Sequence, residues 1–174
     1  GLGDVYKRQA LERAAGALEA GAIGRDADPN WPVSPDPSGG RRLVQWCHGA
    51  AGVVTSLATA PGADPETTKR LDALLLAAGH TVWTAGPLRK GPGVCHGTAG
   101  NGYAFLFLHL RTGDELWLAR ARAFAMHAVA QRARHRERFG QGRYTLWTGD
   151  GGLAVYLLHC LQPEHTAIPG LGVF

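Results

Sequence analysis

Two short stretches of the chain combine cysteine, histidine and glycine. The first reads Trp46-Cys47-His48-Gly49 and the second reads Val94-Cys95-His96-Gly97. Zn²⁺ in proteins favours thiolate sulfur and imidazole nitrogen, and catalytic zinc sites typically use three protein ligands with a fourth position open. Cys47, Cys95 and His96 are therefore candidate ligands of one metal ion, provided that the fold brings the two stretches together.

A structural interpretation of the same cysteines stays open. Cysteine is among the most buried residue types and often behaves as a small hydrophobic side chain. We interpret Cys160, in an apolar segment without such a motif, in this way. Spacing alone does not decide between a metal site and two buried thiols at Cys47 and Cys95. For His48 the options are a fourth ligand, a helix cap, or a proton donor or acceptor in a cleft, which we favour.

The glycine motif occurs three times. Gly49, Gly97 and Gly149 are separated by 48 and 52 residues, and the third copy lacks the cysteine. An apolar segment follows each copy, and we predict buried helices over 52–60, 103–110 and 153–161. Amphipathic helices are predicted after the first two of these. They are expected to be capped by Asp64 and Asp114, with the second ending near Phe139.

Repetition of these helix pairs predicts the fold class. A helix that is apolar on all sides must be enclosed, whereas an amphipathic helix covers it from outside. Repeated pairs build two concentric rings of helices, an α/α toroid, with the motif loops gathered at one end of the inner ring. We predict an all-α partial toroid of roughly three hairpins, and an α-solenoid of the same hairpins is the alternative.

We divide the chain at residue 30. Residues 1–29 are expected to contain an N-terminal amphipathic helix over 9–22, and residues 30–174 the C-terminal part of the toroid domain. Residues 1–9 resemble translated sequencing-adapter read-through and are assigned no function. Because the chain begins with glycine and has a single methionine, Met126, we expect a piece of a longer protein.

Composition restricts the class of protein. With 45% hydrophobic and 18% charged residues the chain has an ordinary globular composition. No stretch reaches the ~20 continuous apolar residues of a membrane span. Three cysteines without a secretory leader favour a reducing compartment, so we expect a cytoplasmic protein. We interpret the arginines at 132, 134, 136 and 138 as a solvated helix face, because no aromatic residue is interleaved, and expect no nucleic-acid partner.

The motifs resemble those of the LanC-like family, which contains bacterial lanthionine cyclases and their eukaryotic relatives. The resemblance rests on residues 43–52, 93–106 and 144–152 and extends from about residue 30 to the end. It implies a toroid of seven hairpins with one catalytic zinc held by Cys47, Cys95 and His96. Members of the family add a thiol, from a peptide cysteine or from glutathione, to dehydroalanine or dehydrobutyrine. The implied partners are a dehydrated peptide or protein and glutathione.

The same resemblance suggests roles for two basic residues. Lys90 matches a position that contacts glutathione or stabilises the enolate in the eukaryotic relatives, and a solvated loop lysine is the alternative. Arg42 is a weaker substrate-binding candidate, because Leu43 stands where the cyclases carry an arginine. His48 replaces a tyrosine of the bacterial cyclases, and Thr148 stands where the eukaryotic relatives have glutamate. These departures argue against dedicated lanthipeptide cyclisation and leave glutathione addition open.

Three functions are therefore weighed. The first is zinc-dependent thioether formation, with His48 and Lys90 as catalytic candidates. The catalytic histidine and aspartate of the family have no match in residues 1–40, so we expect this chain alone to be poorly active. The second is a non-catalytic module that binds glutathione or a peptide. The third, a toroid glycosidase, needs paired carboxylates, and the motif loops offer only Asp150.

Overall fold

A computed structural model describes residues 2–24, 28–34, 42–60 and 64–170. Within these ranges the chain is all-helical, as predicted, and forms a partial α/α toroid. The helices, in chain order, are α1 (Leu2–Gly21), α2 (Ala50–Leu57), α3 (Pro65–Ala85), α4 (Thr98–Thr112), α5 (Glu115–Phe139) and α6 (Asp150–Leu161), and a 3₁₀ turn follows at Pro163–His165. The division of the chain at residue 30 stays a prediction.

Helix α4 is the centre of the hydrophobic core. Every residue from Thr98 to Leu108 is buried, because α2 and α6 pack beside α4 while α3 and α5 pack against it from outside. Phe105 of α4 stacks on Trp117 of α5, with ring centroids 6.1 Å apart. Full burial of such a side chain contributes about 1.5–3 kcal/mol. The predicted arrangement, with apolar helices inside and amphipathic helices outside, is therefore observed.

Two of the three inner helices are not buried on all sides, contrary to the prediction. Ser56 of α2 is exposed, and Leu158 and Leu161 of α6 are 50% and 76% exposed. The reason is the number of neighbours. In the described part of the chain α4 has an inner helix on each side, whereas α2 and α6 each have α4 as their one main inner neighbour and otherwise pack against an outer helix, α3 and α5 respectively.

Helix α4 also begins earlier than residue 103, where the sequence placed its start. The Thr98 N–H donates to the carbonyl of Gly91 at 2.9 Å, and the Ala99 N–H donates to the carbonyl of Pro92 at 3.2 Å. Because loop carbonyls satisfy the first turn, no side-chain cap is needed. Gly100 and Gly102, which were expected in the loop, therefore lie inside the helix. Helix α1 likewise begins before residue 9 and includes residues that were assigned no function.

The ends of the outer helices follow the sequence signals. The Asp64 carboxylate accepts hydrogen bonds from the N–H groups of Glu66 and Thr67, both at 3.0 Å. Asp114 accepts from the Leu116 N–H at 2.8 Å. Helix α5 ends at Phe139, where Gly140 adopts a left-handed conformation with φ 73°. Side-chain caps at the start and glycine at the end match the preferences of isolated helix termini.

A buried polar contact joins α4 to α6. The Tyr103 hydroxyl lies 3.0 Å from Nδ1 of His159, and both residues are buried. Burial, followed by the charge of His165, lowers the pKa of His159, which favours the neutral imidazole in this hydrogen bond with the Tyr103 hydroxyl. Among the described helices, none combines the length and apolar composition that crossing a membrane requires.

The contact between Gly102 of α4 and Tyr156 of α6 generates a stability prediction. A Cβ atom on Gly102 would lie 1.9 Å from the hydroxyl oxygen of Tyr156, which is fully buried. We expect Gly102→Ala to lower the free energy of unfolding by about 1–3 kcal/mol through overpacking. Urea denaturation, monitored by circular dichroism, measures this free energy of unfolding.

Gly16 is the matched control because it also lies within a helix. A Cβ atom there meets nothing within 4 Å. Gly16→Ala should therefore raise the free energy of unfolding by about 0.5–1 kcal/mol through helix propensity. A Gly102→Ala protein as stable as the parent would contradict the close packing of α4 on α6.

Candidate metal centre

Backbone hydrogen bonds join the three motif loops in series. Cys47, Cys95 and Trp147 each lie two residues before a motif glycine. The N–H of Cys47 donates to the carbonyl of Cys95 at 3.1 Å, and the N–H of Cys95 donates to the carbonyl of Trp147 at 2.8 Å. The loops therefore meet at the N-terminal end of the inner helices, which is where the repeat pattern predicted a shared site.

The glycine three residues after the first motif glycine permits a close approach of backbone to backbone in each copy. A Cβ atom on Gly52, Gly100 or Gly152 would lie within 2.1 Å of a loop carbonyl six residues earlier, those of Trp46, Val94 and Leu146. The first glycines differ from one another. Gly49 has φ 109°, in the region that favours glycine, whereas the φ values of Gly97 and Gly149 are −121° and −130°. The predicted sharp turn thus holds for Gly49, and close packing explains the others.

The structure brings Cys47, Cys95 and His96 together. Their ligand atoms all lie within 4.8 Å of one another, and all three residues are partly buried. Across the described residues this cluster does not include His48, whose side chain is exposed. The backbone of His48 instead exchanges hydrogen bonds with Gln45 at 3.0 and 3.1 Å, which closes the turn that carries Cys47. The three-residue cluster can hold a metal ion.

Charges around Cys47 act in opposite directions. Burial raises the pKa of the Cys47 thiol, and the neighbouring Cys95 sulfur raises it further, while the Lys90 ammonium lowers it. Two sulfur atoms that both lose their protons repel each other unless a cation lies between them. A divalent cation between the two sulfurs would remove this repulsion.

Lys90 reaches the cluster through Gln45. Its ammonium group donates to Oε1 of Gln45 at 3.1 Å, and Nε2 of Gln45 donates to Sγ of Cys47 at 3.4 Å. Lys90 was predicted from the sequence and Gln45 was not, although the position of Gln45 two residues before Cys47 was a usable signal. Arg42 is exposed, and within the described ranges no hydrogen bond connects it to the cluster.

Two tryptophans form part of the same end of the molecule. The rings of Trp46 and Trp147 stack with centroids 5.3 Å apart and an interplanar angle of 29°. Trp46 and Cys47 line a cleft of about 540 Å³ beside α2. The stack joins the first motif to the third, a contact that the sequence alone did not indicate.

Lys90 also lines a second, basic cleft of about 640 Å³. The loop before the second motif and the C-terminal half of α5 form its walls, and no acidic residue is found among the described residues that line it. Its basic side chains are Arg89, Lys90, Arg134, Arg138 and Arg143, together with His127 and His135. Arg134 and Arg138 are exposed, in agreement with the predicted solvated arginine face, and they also line this cleft.

The remaining arginines of that run are placed differently. Arg132 pairs with Asp150, the Nε and Oδ2 atoms being 3.1 Å apart, and Arg136 is exposed. Since α5 turns by 100° per residue, arginines two apart point in different directions, and only tertiary packing decides what each one meets. The carboxylate considered for glycosidase chemistry, that of Asp150, is thus held in an ion pair.

These features define a class of protein. Three glycine-punctuated loops lie at one end of a helical toroid, and two of them carry a Cys-His pair. Residues 9–173 of the chain match the family described as "Lanthionine synthetase C-like protein". The chain belongs to this family.

Two curated relatives show the level of similarity. The chain is 38% identical over 127 residues to "Glutathione S-transferase LANCL1" of Danio rerio, which covers 73% of this chain and 31% of that protein. It is 33% identical over 139 residues to "LanC-like protein GCL1" of Arabidopsis thaliana, covering 74% of this chain and 30% of that protein. The chain thus spans about a third of the length of these relatives.

The cysteines differ in environment, which predicts a difference in reactivity. Cys160 is 4% exposed, and burial raises the pKa of its thiol to about 11. Its thiolate fraction at pH 8 is therefore about one in a thousand. We expect iodoacetamide to alkylate Cys47 and Cys95 in the folded, metal-free chain and to leave Cys160 intact. Peptide mass spectrometry checks this, and Cys160 should react once urea unfolds the chain. Fast alkylation of Cys160 in the folded chain would contradict the prediction.

Proposed function

We propose that the full-length protein adds a thiol to a dehydroalanine or dehydrobutyrine residue and that Cys47, Cys95 and His96 hold the Zn²⁺ ion this reaction uses. The observation that carries the proposal is the convergence of three ligand atoms, from two loops 48 residues apart, to within 4.8 Å of one another. Membership of the lanthionine synthetase C-like family supports it.

The residues present fit zinc. Two thiols and one imidazole are the donor types that Zn²⁺ prefers, and three protein ligands are typical of catalytic zinc. Zn–N and Zn–S bonds of about 2.0–2.3 Å would need the three ligand atoms to lie somewhat closer together than 4.8 Å. Side-chain rotations that move these atoms by about an ångström would be enough. Bound there, Zn²⁺ would lower the pKa of an incoming thiol and favour its nucleophilic thiolate form.

The proposed reaction needs no oxidant or reductant. The S–H bond of the thiol breaks and a bond from sulfur to the β-carbon of the dehydro residue forms. The π electrons of the double bond pass to an enolate, which takes up a proton at its α-carbon. We assign Lys90 to stabilise the enolate or a substrate carboxylate by its positive charge, and exposed His48, beside Cys47, to deliver the proton.

Glutathione is the thiol donor that the surroundings of the cluster support. It carries two carboxylates, and the basic cleft beside Lys90 offers five lysine or arginine side chains in about 640 Å³. Lys90 belongs both to this cleft and to the hydrogen-bonded chain that reaches Cys47. One relative bears the name of a glutathione S-transferase. The acceptor is proposed to be a dehydrated peptide or protein.

Metal analysis tests the proposed site. After reconstitution with Zn²⁺ and desalting, we expect about one zinc per chain by mass spectrometry of the metal, because three ligands suffice to retain it. Cys95→Ala should lose most of this zinc. Cys160→Ala is the matched control, since it removes a cysteine outside the cluster, and it should keep the parent's content. A parent chain without zinc would rule out the site.

Kinetics of the full-length protein test the donor. With glutathione and a dehydroalanine peptide, we expect a product heavier by one glutathione. Arg138→Gln should raise the KM for glutathione about 3- to 10-fold, because a charge-assisted contact to a carboxylate is lost. Arg136→Gln, on the same helix but outside the cleft, should leave the KM unchanged. Glutathione that binds without any adduct would identify a non-catalytic module instead.

A further inference from the structure

We propose that Gln45 is a positioning residue of the candidate metal centre, which orients the sulfur of Cys47 and holds Lys90 at the site. The role of Gln45 in the reaction rests on the proposed function. Its basis is one side chain that contacts a predicted metal ligand at one end and a predicted substrate-binding cation at the other.

Burial of Gln45 makes its side-chain contacts consequential. The residue is 4% exposed, so its amide group has little access to water. A buried amide without partners costs free energy, and both ends of this one are paired, with Cys47 and with Lys90. The backbone of Gln45 also exchanges two hydrogen bonds with His48, and these bonds restrict the position from which its side chain extends.

The orientation of the amide follows from the chemistry of its partners. An ammonium group only donates hydrogen bonds, so the atom facing Lys90 at 3.1 Å must be the carbonyl oxygen of Gln45. The NH₂ group then faces the sulfur of Cys47 at 3.4 Å. Lys90 thereby decides that the sulfur receives an N–H donor and not an oxygen, which would repel a thiolate.

Two consequences for the site follow. A thiolate that accepts an N–H hydrogen bond gives less negative charge to a bound metal and has one preferred direction, and partners of this kind tune metal sites. Lys90 is otherwise an exposed side chain on a loop, and the contact with Gln45 reduces its freedom. Gln45 therefore links the sulfur ligand to the basic cleft, although the two lie on different loops.

Cobalt binding to the purified chain tests the sulfur contact without requiring activity. Gln45→Met has similar length but no donor. Because the sulfur of Cys47 then loses the contact that orients it, we expect Co²⁺ affinity to fall about 10- to 100-fold. It should also move the sulfur-to-cobalt charge-transfer band to longer wavelength, since the sulfur becomes more electron-rich. Gln45→Glu keeps an acceptor for Lys90 and loses the donor to sulfur, so it should show the same band shift. It serves as the test if Gln45→Met fails to fold.

The Lys90 contact is tested by kinetics in the full-length protein. Gln45→Met should raise the KM for glutathione, whereas Gln45→Glu should leave it near the parent value because Lys90 keeps its partner. Gln162→Met, at an exposed position, is the control for both experiments. A parent chain that takes up no cobalt overturns the metal site and this role together. Normal cobalt binding, with an unchanged affinity and spectrum in both Gln45 variants, overturns the role of Gln45 alone.

Discussion

The backbone hydrogen bonds between motif loops are the constraint on which the rest of the site depends. Cys47 donates to Cys95, and Cys95 donates to Trp147, at the same position of each repeat. Such bonds form only if each loop folds back onto the helix that follows it, which the missing Cβ atoms of Gly52, Gly100 and Gly152 allow. Residues distant in the chain thus become neighbours by repetition of one local geometry.

The same geometry directs helix N-termini toward the cluster. Helices α2, α4 and α6 begin at Ala50, Thr98 and Asp150, immediately after their motifs. The N-terminus of a helix carries a partial positive charge that favours nearby anions. The N-termini of α2 and α4, which follow Cys47 and Cys95 closely in the chain, and the Lys90 ammonium contribute positive potential near these two residues. A candidate metal centre next to a basic cleft is therefore a property of the whole inner ring and not of one loop.

The structural features that the sequence did not predict have a common physical cause. Helix α4 was expected to begin at residue 103, because glycines were interpreted as loop residues, and the carbonyls of Gly91 and Pro92 that satisfy its first turn were not foreseeable. Arg134, Arg136 and Arg138 of α5 are exposed, as predicted, but the cleft that Arg134 and Arg138 line and the ion pair of Arg132 with Asp150 were not foreseeable. In each case the outcome depends on a partner group in another loop or helix.

The sequence by itself determined the repeat, the all-α class, the helix caps at Asp64 and Asp114, and the three residues proposed to bind a metal. These follow from local rules: glycine and capping residues act on their own neighbourhood, and periodicity reports which face is apolar. Only the tertiary structure decided that the Cys47, Cys95 and His96 ligand atoms lie within 4.8 Å, and that Gln45 joins Lys90 to the sulfur of Cys47. Distances between separate loops depend on how the helices pack, and no local pattern encodes that.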